Sequence, residues 1–165
     1  MTFTEFKDKI EKQIKGLSDN EGLKFALYIC KRLLPDYETF HQKNKWGNPD
    51  ILAKGLKYCE QILKGDKADN DQIEEIKKSI EEVTPDTEDF GDWDGSYALN
   101  ACTAIIESLE FISDHDIEHI LKVSSYMTDT VDFKITEKFG DLSNDAIDAH
   151  PWMTSERNNQ IALTK

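Results

Sequence analysis

Residues 96–135 read SYALNACTAIIESLEFISDHDIEHILKVSSYMTDTVDFKI, and the spacing of their apolar residues decides the fold class. Ala98, Ala101, Cys102, Ile105, Ile106, Leu109 and Ile112 recur three and four apart, which places them on one face of an α-helix. Ser96 stands where a residue could cap that helix, which is apolar enough to be central. Ser113 or Asp114 opens a second long helix, whose stripe of Ile117, Ile120, Leu121, Ser124, Met127, Val131 and Ile135 runs to Gly140.

The same period extends outward in both directions. Phe3, Phe6, Ile10, Ile14 and Leu17 form a first stripe. Ser18 with Glu21 is a capping box, each side chain satisfying a free backbone N–H of the next helix. That helix carries Leu23, Ala26, Leu27, Cys30, Leu33 and Leu34, and Pro35 is expected to stop it, leaving a short helix over 36–44 with Tyr37 and Phe40 inward. Asn48-Pro49 reads as N-cap and first helical residue, and Gly65 as a left-handed C-terminal cap. Ile73, Ile76, Ile80 and Val83 form another stripe that ends before Pro85. Beyond Gly140, Ser143 caps a short turn, Pro151 breaks it, and a last helix runs to about Leu163. With no alternating β-branched run and no repeat, the expectation is an all-α, single-domain multi-helix bundle over residues 1–165. Roughly seven to nine helices would be joined by short loops.

Composition bounds the function. The 165 residues include 20 Lys plus Arg and 33 Asp plus Glu, a formal net charge of −13. Nucleic-acid binding, which draws its affinity from cations at phosphates, is excluded as a partner class, and anionic membranes are disfavoured for the same reason. The charge is uneven: residues 1–68 carry 13 basic and 10 acidic side chains, a net +3, and residues 69–165 carry 7 and 23, a net −16. Cys30, Cys59 and Cys102 lie far apart on apolar stripes and read as buried free thiols of a reducing compartment. With no signal segment and no membrane-length apolar run, a cytoplasmic location follows as the expectation.

Arg32-Leu33-Leu34-Pro35-Asp36-Tyr37, Phe40 and Trp46-Gly47 resemble the YjaG-like bacterial proteins, domain-of-unknown-function family 416. The similarity continues through Thr84-Pro85, Phe90, Gly95 with Tyr97, Ala101-Cys102, Glu118-His119 and Val123-Ser124, about residues 20 to 150. The resemblance implies an all-helical, cytoplasmic bacterial protein, from whose pattern this chain departs in a C-terminus expected to be shorter. It carries over no catalytic residues.

Two constellations could bear chemistry. Between Pro85 and Gly95 the sequence PDTEDFGDWDG holds Asp86, Glu88, Asp89, Asp92 and Asp94 around Trp93. It fails as a helix–loop–helix calcium loop: with Gly95 at the sixth position, Phe90 falls at the first and Ala101 at the twelfth. An aromatic among acids is instead the composition of a protein-contact hot spot with steering charges. His115 and His119, four apart, are weak candidates for a shared metal, though no metal or other cofactor is expected. Nucleophilic catalysis and phosphate loops have no support, since the Cys lie on apolar stripes and no glycine-rich phosphate motif occurs. The expected function is a non-enzymatic protein-binding module with an acidic surface, possible relatives in role being immunity or antitoxin proteins that cover a basic partner. A homodimer with a structural or small-ligand role is the alternative, and a metal-dependent hydrolase ranks below both.

Overall fold

A computed structural model describes residues 1–165 as eight helices and no strand. They are α1 (Phe3–Lys15), α2 (Asp19–Asn44), α3 (Pro49–Leu63), α4 (Asn70–Glu82), α5 (Trp93–Asp114), α6 (Glu118–Phe139), α7 (Asn144–Ala149) and α8 (Pro151–Leu163). The central position expected for the residue 96–112 stripe is observed: α5 packs on α2, α3, α4 and α6. Ala98, Ala101, Cys102, Ile105 and Leu109 are fully buried. α3 and α4 close one flank, and α1, α7 and α8 close the other against α6.

The local signals act as their chemistry requires at most helix ends. Ser18 Oγ accepts from Glu21 N while Glu21 accepts from Ser18 N, completing the capping box. Asn48 caps α3 with Pro49 at its first position. After α3, Gly65 takes a left-handed φ of 104°, and Asp66 N–H reaches back to the Gln61 carbonyl, closing the helix end.

Three boundaries differ from the sequence reading. Pro35 does not stop α2, which runs unbroken through it for 26 residues. Proline in a helix interior costs about 3 kcal/mol through one lost hydrogen bond and a ring clash. Here Pro35 and Lys31, whose carbonyl loses its donor, both face solvent, where water replaces the bond. Leu33, Tyr37 and Phe40, all fully buried, hold the chain helical on the opposite face. At the second boundary, Ser96 is not the cap of α5; Asp92 is, accepting from Gly95 N at 3.1 Å. At the third, Asp114 ends α5 and does not open α6. His115 takes the left-handed C-cap position with φ 58°, and α6 begins at Glu118 without a side-chain cap.

Two hydroxyls of α6, those of Ser124 and Thr130, join helices, while Ser125 and Thr128 donate to carbonyls within α6. Asn100 donates to Thr130 Oγ1 at 3.0 Å across α5 and α6, and Ser124 donates to Gln160 of α8 at 2.5 Å. Gln160 Nε2 in turn donates to Glu156, whose two oxygens accept both terminal nitrogens of Arg32 at 3.1 and 2.7 Å. This chain of bonds fastens α8 to α2 and α6.

All three cysteines are free and buried. Burial pushes the Cys30 and Cys102 thiols up to about 12 and moves Cys59 in the same direction. Because the thiolate is the reacting species, none should be modified by a disulfide reagent at pH 8 in the native protein, and all three should react in denaturant. Tyr37, likewise pushed up to about 12 by burial, joins them in a pH dependence. Each of these groups stays neutral in the fold while its unfolded counterpart ionises, the thiols near about 8.5 and the phenol near about 10. Their contribution to stability is therefore complete below about pH 8 and declines from there toward pH 12. Denaturant midpoints measured from pH 7 to 11 should fall on the alkaline side.

Candidate functional site

The acidic-aromatic segment meets α5, α6 and the end of α2 at one end of the bundle. Phe90 is drawn inward, its ring 5.1 Å from Phe40 and 5.0 Å from Trp46. The Trp46 ring therefore closes this end of the core. The loop turns sharply enough that a Cβ on Gly95 would lie 2.3 Å from the Phe90 carbonyl oxygen, so no larger residue fits there. Trp93 is the first residue of α5, not part of a free loop, and stacks on Phe133 of α6 at 5.9 Å. Its side chain nevertheless remains 38% exposed.

The acids divide by role. Asp92 caps α5, Asp94 pairs with Lys43 at 2.7 Å, and Asp86 accepts from Glu88 N in a turn. Glu88 and Asp89 are exposed and make no ion pair, and Asp86 and Asp92 keep exposed surface despite their turn and cap bonds. The five carboxylates singled out in the sequence thus flank Trp93 along the chain, with Asp94 already paired.

A second aromatic group, not anticipated from the sequence, adjoins this end. Trp152 does not close over the core; it is 40% exposed and packs on Phe139, itself 49% exposed, at 5.3 Å. Lys138 lies over the Trp152 ring at 5.3 Å. A shallow groove of about 310 Å³ lies beside Trp152, and its lining includes Asp94, Tyr97, Lys134, Glu137 and Lys138. The missed signal was Phe139 before Gly140, an apolar residue outside the α6 stripe.

At the other end of α5, His115 and His119 do not share a helix face. His115 sits in the α5–α6 turn, exposed, with Nδ1 2.9 Å from Asp19. His119, in the first turn of α6, is buried and meets α5 instead: Nδ1 lies 2.5 Å from Glu107 Oε2 and 3.5 Å from Glu110 Oε2, and Nε2 lies 2.8 Å from Asp114. Burial alone would push the imidazole pKa down, but the bonds to Asp114 and Glu107 outweigh it and hold the pKa above the ordinary histidine value. Asp114 is lowered, chiefly by its bond to His119. Glu107, Glu110 and His119 could together hold a metal ion, their ligand atoms all within 4.8 Å of one another. Sequence spacing pointed to the wrong pair; Glu107 and Glu110, three apart on the edge of an apolar helix, were the available signal.

A cleft of about 490 Å³ lies between α1, α6, α7 and α8 and is lined by Asp129, Asp132, Asp145 and Asp148 with Arg157. Asp148 pairs with Arg157 at 2.8 Å, and burial raises the carboxyl pKa values of Asp129 and Asp132.

Eight helices, none long and apolar enough to cross a membrane, define an all-α bundle with aromatic side chains exposed at one end. Residues 9–165 match the family described as protein of unknown function DUF416, and the chain belongs to that family. It is 26% identical over 150 residues to the uncharacterized protein YjaG of Escherichia coli strain K12, covering 89% of this chain and 76% of that relative. YjaG of Salmonella typhimurium is 24% identical with the same coverage. A crystal structure of a DUF416 family protein from Shewanella baltica OS155 superposes with a TM-score of 0.83 at 28% identity, covering 93% of this chain and 80% of that one.

Proposed function

We propose that this chain is a non-enzymatic binding module that docks a basic protein against Trp93 and the carboxylates around it. In its narrower form the proposal is an immunity or antitoxin role, in which the docked surface is the functional face of a cationic toxin. The observation that carries the reading is Trp93 itself: it could have closed over the core as Trp46 does, yet it keeps 38% of its surface exposed, and Asp86, Glu88, Asp89 and Asp92, which precede it in the chain, are exposed too. A half-exposed indole offers a large desolvation energy to a partner, and unpaired acids speed the approach of a basic one. The net charge of −16 over residues 69–165 gives the long-range field the same sign.

The test is affinity capture from the source cell with the whole chain as bait, eluted by rising salt, beside a Trp93→Ala bait. One basic protein, recovered in stoichiometric amount, released by salt and absent from the Trp93→Ala eluate, is expected. Recovery of the bait alone points to a homodimer in place of a basic partner, and equal recovery by both baits removes the assignment to this end of the bundle.

A further inference from the structure

From the geometry around His119 we propose a divalent transition-metal site formed by Glu107 and Glu110 of α5 and His119 of α6, with Zn²⁺ the ion that suits its one nitrogen and two oxygen donors. The arrangement is directional. The two Oε2 atoms, one from each glutamate, face the same imidazole nitrogen, Nδ1, at 2.5 and 3.5 Å. The two Oε1 atoms are held from outside: Lys122 lies 3.6 Å from that of Glu107, and Lys77 of α4 lies 3.3 Å from that of Glu110. The far nitrogen of the ring, Nε2, is engaged by Asp114 at 2.8 Å. Every donor thus has an outer partner that fixes its orientation, while Nδ1 and Glu107 Oε2 bond each other across the centre, a bond that an ion would replace. Metal-bound histidines and carboxylates are supported in this way, with a carboxylate on the second ring nitrogen.

Charge and coordination point the same way. Two carboxylate oxygens and an imidazole lone pair cannot converge without positive charge between them, and a dication supplies it in place of a proton on Nδ1. Around the cluster, Glu74, Glu107, Glu110 and Asp114 outnumber Lys77 and Lys122 by two charges when the imidazole is neutral. Three donors, one nitrogen and two oxygens, suit Zn²⁺ with water completing the shell, and the nitrogen disfavours Mg²⁺. Glu110 is the most exposed of the three and stands at the solvent side, giving an ion a way in. His115, the other residue of the sequence pair, takes no part.

The site lies roughly 25 Å along α5 from Trp93, taking 1.5 Å per residue, so it neither needs the docking surface nor depends on a partner. The test uses the whole chain, stripped with a chelator and titrated calorimetrically with ZnCl₂ in the presence of excess Mg²⁺. One Zn²⁺ per chain is expected. Glu110→Gln should weaken binding at least tenfold, Asp114→Asn about ten- to a hundredfold, and His115→Ala should leave it unchanged. Because Glu107 and His119 are more buried, the unaltered protein provides the decisive second measurement: Zn²⁺ should move the Nδ1 resonance of His119 in ¹⁵N spectra and leave that of His115 in place. No Zn²⁺ bound, binding by Glu110→Gln equal to the unaltered chain, or a Zn²⁺ response at another histidine only would each overturn the site.

Discussion

Phe40→Ala is expected to lower the unfolding free energy by about 3–5 kcal/mol, the range for removing a large aromatic from a packed core. For a chain of this length that is a fall in Tm on the order of 10 °C. Phe40 is fully buried and touches three other rings, with centroids 5.9 Å from Tyr37, 6.0 Å from Trp46 and 5.1 Å from Phe90. Its loss leaves a cavity where α2, the turn before α3 and the segment before α5 meet. Tyr37 compounds the effect, because its hydroxyl donates to the Val83 carbonyl at 2.6 Å and accepts from Asn48 N at 3.2 Å. Rings and hydroxyl together fix both connections that pack on this end. Chemical denaturation followed by far-ultraviolet circular dichroism checks the value. A cost under about 1 kcal/mol would mean that the aromatic cluster does not organise the bundle end.

If a basic partner docks as proposed, Trp93→Ala is expected to weaken its binding at least thirtyfold, the equivalent of about 2 kcal/mol. Neutralising the rim with Glu88→Gln and Asp89→Asn should act differently, lowering the association rate and flattening the salt dependence while changing dissociation little. The two effects separate because Trp93 would be desolvated at the contact, whereas Glu88 and Asp89 act through a field that salt screens. Neither acid supports the fold through an ion pair, so stability should hold in the double variant to within about 0.5 kcal/mol. Surface plasmon resonance with the captured partner, at several salt concentrations, reads both.

The helices were legible because their signals are local. Stripes such as Ile105, Leu109 and Ile112 repeat over several turns, and the capping box of Ser18 with Glu21 needs only four residues to declare itself. Pro35 was misread because its cost is local while the compensation is tertiary: Leu33, Tyr37 and Phe40 bury the far side of the same helix, and solvent takes up the freed carbonyl. Ser96 was displaced as cap by Asp92, four residues earlier, because Phe90 anchors inside and Gly95 lets the chain turn early. The Leu33, Tyr37 and Phe40 stripe continues through Pro35 at helical spacing, but the cost of the proline outweighed it in the reading.

The candidate sites were legible in unequal measure. The acids around Trp93 are contiguous in sequence, so their grouping could be read directly, although the pairing of Asp94 with Lys43 joins residues far apart in the chain. The cluster at His119 could not be read the same way. Four-residue spacing places two histidines on one face only if a single helix contains both, and the left-handed turn at His115 separates them. The partners that His119 takes instead, Glu107 and Glu110, come to it through the α5–α6 packing.

Hydrogen exchange of the chain with and without its captured basic partner tests the docking surface most directly. Protection on binding is predicted in residues 84–95 and in the facing part of α6, 133–139, with the α3–α4 flank unchanged. Protection confined to α3 and α4, or to the acidic cleft between α1, α6, α7 and α8 with 84–95 unaffected, would contradict the assignment of the partner to Trp93.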